Sequence, residues 1–348
     1  MIVFLSFCPP AMAVKIVLIN PDKPGRPFWD LTTKVAQAAA DDLNVDLTIL
    51  YGGGNRFSNM DLLDDIKRNH TDIDYIIFLP AKGSVKRSFD VLEKAKLPFI
   101  TLERNFSDKD FSQLGSPGTR YNYWLDEVYY DDMQAGALLA NNLISSGSNK
   151  GFSSLFITGF SGDNSEISDN REKGLLANLT NQAQLNQIVR TLWDPVKSGV
   201  MVPHILKRYP ATNIFWAASD EIALAIKDAL SKNNNTKDIL IGGIGWLPEA
   251  IDAIKNEQLT ASVGGHFMQG AWAVIKAFDH SQGFQDISTK NSLPLLHQVI
   301  NKRNIKQYQV LASKPNWDKI DFTLYSLSLN KKLTQYNFAL DEIILALQ

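Results

Sequence analysis

The sequence predicts an α/β fold of two similar, doubly wound parallel-sheet lobes with a cleft between them. Three observations carry this. Short β-branched runs alternate with amphipathic stretches of helical period along most of the chain. The alternation comes in two series of similar length. A long polar and aromatic segment, 105–130, separates the series, and an irregular stretch of that size is commonly a crossover or a functional segment.

In order, strands are expected at 14–20, 45–51, 75–79 and 98–102. Helices are expected between them at 28–43, 59–68 and 85–94, the first from the spacing of Leu31, Val35, Ala38 and Ala39. After the break the second series places helices at 133–144, 170–179, 197–207, 221–230, 250–255 and 270–279. Its strands fall at 152–158, 185–192, 213–217, 239–244 and 260–263. The stretch 293–300 reads as a further strand or a crossover, and 337–347 as a final helix. A βαβ series of this kind builds a parallel sheet covered on both faces.

Composition narrows the function. With 35 Lys and Arg against 37 Asp and Glu, the net charge is -2. No bulk positive field is present to hold a phosphate backbone, so no nucleic-acid partner is expected. No apolar run reaches the roughly 18 residues of a membrane span. Residues 1–13 join an apolar run to Ala11-Met12-Ala13, a small-x-small pattern that suggests a leader cleaved after Ala13. No Lys or Arg precedes the run, so the leader is expected to be truncated at its start; the other reading is a cytosolic chain with an apolar first strand. Cys8 is the only cysteine, so a cleaved chain has no disulfide, thiolate or cysteine-zinc chemistry.

Catalytic motifs are incomplete. Gly159-Phe160-Ser161-Gly162-Asp163 lacks the last glycine of a nucleophile elbow. Gly52 to Phe57 and Gly243 to Pro248 each miss the final glycine of a dinucleotide fingerprint. The five histidines stand apart, with no H-E-x-x-H pair. No catalytic residue, metal or cofactor is expected.

Open parallel sheets bind ligands beyond the carboxyl ends of their strands. Polar residues and rings at those ends are therefore the candidates. Phe28 and Trp29 follow the first strand; they either stack on a ligand or staple the helix to the core. Glu103, Arg104 and Asn105 follow the fourth strand, where a charged pair suits a hydroxylated ring and otherwise makes a solvated turn. Asn170 and Arg171 open a helix beyond the polar loop 161–168, with Arg171 reaching into the cleft or merely charging the helix terminus. Ser219 and Asp220 follow the strand at 213–217, where Ser219 also suits a helix N-cap. Trp246 follows the strand at 239–244 as a stacking wall or a core ring. His266 follows Gly264-Gly265, glycines that permit close backbone approach or a crossing between lobes.

These segments together resemble the type I periplasmic solute-binding proteins of the ribose/galactose-binding class. The carriers are PFW at 27–29, LPFITLERN at 97–105, EVYYDDMQAGALLANNL at 127–143, DNREKGLLANL at 169–179, WAASDEIALAIKDAL at 216–230 and IGGIGWLPEAIDAIKNEQLTASVGG at 241–265. The resemblance implies lobes at 14–105 plus 267–296 and at 128–264 plus 297–312. It also implies a three-segment hinge near 105–127, 264–269 and 296–306. Residues 313–348 exceed the usual family end and are expected to wrap back onto a lobe.

Phe28 and Trp29 match the family's stacking aromatics, Glu103-Arg104 its Asp-Arg pair, Arg171 its second-lobe arginine and Ser219-Asp220 its Asn-Asp. Gly245-Trp246 stands where a hydroxyl-binding aspartate is usual, and the Gly264 to His266 region where glutamine is frequent. These departures point to a modified or less hydroxylated ligand. The resemblance implies an exported, monomeric, non-enzymatic receptor in the periplasm that captures a carbohydrate-like small molecule and presents it to an ABC permease. A sensor kinase is the alternative membrane partner. A hydrolase on the same two lobes, or a regulator core without its DNA-binding part, are the readings from other classes.

Overall fold

The expected alternation builds two sheets. A computed structural model describes residues 13–69, 72–104, 108–233, 237–284, 294–312 and 317–347. The expected leader, apart from Ala13, and Asn105 lie outside these residues.

In the first lobe β1 (Lys15–Asn20), β2 (Asp46–Tyr51), β3 (Tyr75–Phe78), β4 (Phe99–Leu102) and β5 (Trp124–Val128) form a parallel sheet in the order β2-β1-β3-β4-β5. α1 (Pro27–Asp42) starts on a proline at its first turn and buries Leu31, Val35, Ala36, Ala39 and Ala40. It packs with α10 (Gln269–Ser281) on one face of the sheet. α2 (Arg56–Asn69), α3 (Val85–Ala95) and α4 (Asp108–Leu114) lie on the side built around Phe89, Phe99 and Trp124.

The second sheet runs β11-β10-β9-β8-β6-β7. Its strands are β6 (Leu155–Ser161), β7 (Ala183–Arg190), β8 (Ile214–Ala217), β9 (Leu240–Ile244), β10 (Ala261–Gly264) and β11 (Gln298–Asn301), with β11 antiparallel to β10. α5 (Asp132–Asn149) and α6 (Glu166–Ala177) cover one face. α7 (Pro195–Arg208), α8 (Asp220–Lys232) and α9 (Pro248–Lys255) cover the other.

The stretch expected to be irregular at 105–130 therefore contains a helix and an edge strand, β5. Its apolar signal is diluted by the acidic Asp126 and Glu127, both buried: Asp126 pairs with Lys276 and Glu127 with Arg104. The chain crosses between lobes at Tyr129–Asp131, at the turn Gly265–Met268 and at 294–297. The first and third crossings are zipped together. Asp131 donates its backbone N–H to the Leu295 carbonyl and Leu295 donates to the Tyr129 carbonyl, both at 2.9 Å. Gln134 clamps both main-chain groups of His297, at 3.0 and 3.1 Å. Gly265 supplies a left-handed φ of 98° in the second crossing, and a Cβ there would collide with Leu340.

The C-terminal segment wraps over both lobes. After α11 (Ile305–Ala312), Trp317 and Phe322 dock against the first lobe. The buried carboxylate of Asp279 accepts from Ser326 Oγ, the Leu327 and Ser328 N–H groups and Tyr336 OH, at 2.5 to 3.1 Å. Phe338 stacks on Trp272 with centroids 4.4 Å apart. α12 (Leu340–Ala346) then returns to α11 on the second lobe. No helix among the described residues is long and apolar enough to cross a membrane.

The close crossing of α5 and α6 depends on two glycines. A Cβ on Gly136 would strike the Arg171 carbonyl, and one on Gly174 the Met133 carbonyl. We expect Gly136→Ala to cost about 1–3 kcal/mol by overpacking, read as a melting temperature several degrees lower. Gly199 lies in α7 with only ordinary contacts around its absent Cβ. Gly199→Ala should instead stabilise by about 0.5–1 kcal/mol.

Candidate functional site

The strand ends of both sheets face a cavity of about 420 Å³ between the lobes. Asn20, buried at the end of β1, accepts the Asp22 N–H at 2.9 Å and shapes the turn that delivers Arg26, Phe28 and Trp29 to the wall. Phe28 meets Trp29 edge-on at 5.4 Å and lies against His266 at 4.4 Å.

Glu103 sits just after β4 with a left-handed φ of 48°. It is 7% exposed, and Gln269 donates to its Oε1 at 3.0 Å. Burial pushes its carboxyl up to about 7, Asp132 adds to this, and Arg171 opposes it.

Arg171 is the buried cation of the second lobe, 4% exposed. Its Nε donates to Asp132 Oδ1 at 2.7 Å and its Nη1 to the Ala218 carbonyl at 2.8 Å. Its Nη2 lies 3.4 Å from His266 Nε2, and its guanidinium lies 5.7 Å from the Trp193 ring. Arginine has only donors, so His266 Nε2 faces it with a lone pair.

Two sets of charged contacts bridge the lobes at the cavity. Arg26 pairs with Asp22 at 3.1 Å and reaches Glu221 at 3.4 Å and the Trp193 carbonyl at 3.3 Å. Lys82 lies 3.5 Å from Glu166 and 4.0 Å from Asp169. The lobes are thus closed on the cavity.

The family model described as a periplasmic binding protein domain matches residues 16–284. The chain belongs to that family. It is 24% identical over 242 residues to the D-allose-binding periplasmic protein of Escherichia coli, covering 68% of this chain and 75% of that one. It is 25% identical over 197 residues to the sucrose operon repressor of Staphylococcus xylosus, covering 57% of this chain but only 54% of the repressor. A periplasmic sugar-binding protein from Pseudomonas fluorescens superposes with a TM-score of 0.83 at 23% identity, covering 95% of this chain and 99% of that one. That likeness concerns the fold.

In this periplasmic binding protein domain, Phe28, Trp29, Glu103, Arg171, Ser219, Asp220 and His266 line the cavity. Two of them also have structural duties. Ser219 caps α8, accepting the Ile222 N–H at 3.3 Å. Asp220 accepts the Leu247 N–H at 2.9 Å and Ser262 Oγ at 2.8 Å, so its carboxyl ties the turn after β9 to β10; burial pushes it up to about 7.

Three expectations are corrected. Arg104 turns away from the cavity to pair with Glu127 and lie 4.0 Å from the Tyr129 ring centre. Both residues lie beyond β4, where the backbone turns at the left-handed Glu103, and the buried Glu127 claims the arginine. Asn170 is not in the cavity wall; its Oδ1 accepts from Lys173 at 3.0 Å. Trp246 is fully buried, donating from its indole to the Ser262 carbonyl and packing 5.2 Å from Tyr308; it is a core ring.

The cavity also holds residues that the sequence reading missed, chiefly Arg26, Lys82, Asp163 and Trp193. Trp193 donates from its indole to Asp163 Oδ1 at 2.9 Å and covers Gly162, where a Cβ would meet the ring. Its signal was available, since it follows the strand that ends near residue 190. The backbone marks the same places. Glu103, Leu192, Trp193 and Trp246 adopt left-handed φ values of 48° to 61° beyond strand ends. Such strain concentrates at functional sites. The other left-handed non-glycine residues among those described, Asn44, Lys96 and Glu257, follow helices, where the conformation is ordinary.

Removing Arg171 strands Asp132 without its cation. We expect Arg171→Met to cost about 3–5 kcal/mol in denaturant unfolding. Adding Asp132→Asn should recover much of that loss, whereas additive losses would contradict a coupled pair. Glu103 also makes stability depend on pH. The folded chain holds the glutamate proton more tightly than an unfolded chain, whose ordinary value is 4.5. The stability this gives is complete below 4.5 and is lost as pH rises through about 7. Melting curves should show a fall between about pH 4.5 and 7 that is shallower in Glu103→Gln.

Proposed function

We propose that the chain is an exported solute receptor that captures a neutral sugar or sugar-like polyol between its lobes and presents the closed form to a membrane ABC permease. The observation that carries this is the composition of the closed cavity. Rings from both lobes (Phe28 and Trp29 from one, Trp193 from the other) offer faces to the C–H side of a sugar ring. Between them stand carboxylates and an arginine suited to bidentate hydrogen bonds with hydroxyl groups.

The charge balance favours a neutral guest over an anionic one. Arg26, Lys82 and Arg171 are each already engaged by protein carboxylates, whereas Asp163 is held by the Trp193 indole and Ser168 Oγ. The name of the E. coli relative, a D-allose-binding protein, agrees with a monosaccharide guest. Capture rather than turnover fits the cavity serines. Ser219 caps α8, and Ser165 donates to Ser168 Oγ at 3.2 Å. Neither is hydrogen-bonded to a histidine among the described residues. The leader-like start supports export, and closure gives a permease a state to read.

A thermal-shift screen of D-allose, other monosaccharides, cyclic polyols and their acidic derivatives tests this. A true ligand at a hundredfold its Kd stabilises by about 2.7 kcal/mol. Neutral compounds should give the shift and acidic ones should not. Trp193→Ala should abolish it while the unliganded fold persists. A response only to anions, or one untouched by Trp193→Ala, would overturn the assignment.

A further inference from the structure

Each of the three crossings contributes one titratable ring to a single buried cluster. Tyr130 comes from the first, His266 from the second and His297 from the third. Their ring centres are 5.1 Å (Tyr130–His297), 4.9 Å (His266–His297) and 6.2 Å (Tyr130–His266) apart. His266 is 3% exposed and His297 1%. The cluster joins the cavity at His266, whose ring lies against Phe28 from the first lobe and whose Nε2 faces Arg171 from the second.

We propose that His266 and His297 are positioning residues that hold the lobes closed only while both imidazoles are neutral, so that the protein opens and loosens its hold on a captured molecule as pH falls.

The contact with Arg171 sets the direction. A guanidinium N–H can point at the lone pair of His266 Nε2, at 3.4 Å. A proton on that nitrogen turns an attraction into two facing cations. His297 offers no relief. Neither of its ring nitrogens has a hydrogen-bond partner among the described residues, and the Asp131 backbone, which favours the charged ring, is outweighed by burial and by Arg171. The Tyr130 hydroxyl accepts from the Trp272 indole N–H at 3.4 Å.

The carboxylates around the cluster do not neutralise an added charge. Asp132, at the start of α5, is bound to Arg171, and Asp131 caps α5 by accepting the Gln134 N–H. Glu103, at the end of β4, is bound by Gln269, and Asp220, at the start of α8, by Ser262 and Leu247. Burial, above all, holds both histidines well below the ordinary imidazole value. Opening admits water and returns them toward about 6.5. The open form therefore binds more protons, and the closed form loses ground as pH drops through that range. Glu103 and Asp220 act in the opposite direction, so a comparison that leaves both in place isolates the histidines.

The test needs no ligand, so its outcome is separate from that of the sugar screen. Small-angle scattering and far-ultraviolet circular dichroism are recorded on the ligand-free chain from pH 8 to 4.5, for wild type and His297→Phe. Phenylalanine keeps a ring in the cluster and removes two unpartnered nitrogens. The ligand-free wild type should populate open and closed forms together at pH 8 and expand further at a pH below 6.5, with its secondary structure intact. His297→Phe should expand only at lower pH, with about one proton fewer taken up. Should the phenylalanine variant fail to fold, His297→Gln is read in the same way. A radius constant across the range, or the same expansion in wild type and variant, overturns the proposal.

Discussion

The buried guanidinium of Arg171 is the interaction on which the rest of the cavity depends. One side chain touches the start of α5 through Asp132, the end of β8 through Ala218 and the second crossing through His266, and it faces the Trp193 ring. A cation removed from water must be compensated, and Asp132 does this at 2.7 Å. The helices can approach closely enough only because Gly136 and Gly174 lack side chains. The site is thus assembled by the helix packing of one lobe and completed by the other.

Closure is the second constraint. Parallel sheets leave the carboxyl ends of their strands unpaired with any further layer, so two such sheets joined edge to edge by short crossings present those ends to each other. The crossings are held by backbone hydrogen bonds and by the Gln134 clamp. The C-terminal segment adds apolar contact behind them, where Leu340 fills the space beside Gly265.

Much of this was legible in the sequence because burial imposes period. Strands such as β1, β3 and β8 are continuous apolar runs, and helices such as α1 carry a clear apolar stripe. β5 escaped notice because its acidic residues are neutralised by partners far along the chain, Lys276 among them, which local pattern cannot show. The strand-end rule found Glu103 and Arg171, but it could not tell which of Glu103 and Arg104 faces inward. That choice rests on Glu127, remote in sequence. Trp246 read as a wall or a core ring because it follows a strand end, and Gly243 and Gly245 before it make room for the Asp220 carboxyl. Arg26 and Lys82 gain their roles only when the second lobe arrives.

The most direct measurement of the central claim, that the lobes shut on a small neutral guest, is the distance between them in solution. Spin labels at Phe57 on α2 and Val196 on α7, both exposed, report it in a chain whose single cysteine, Cys8, has been replaced. With a sugar that binds, the distribution should shorten and narrow relative to the ligand-free protein. A distribution unchanged by bound sugar would contradict the account.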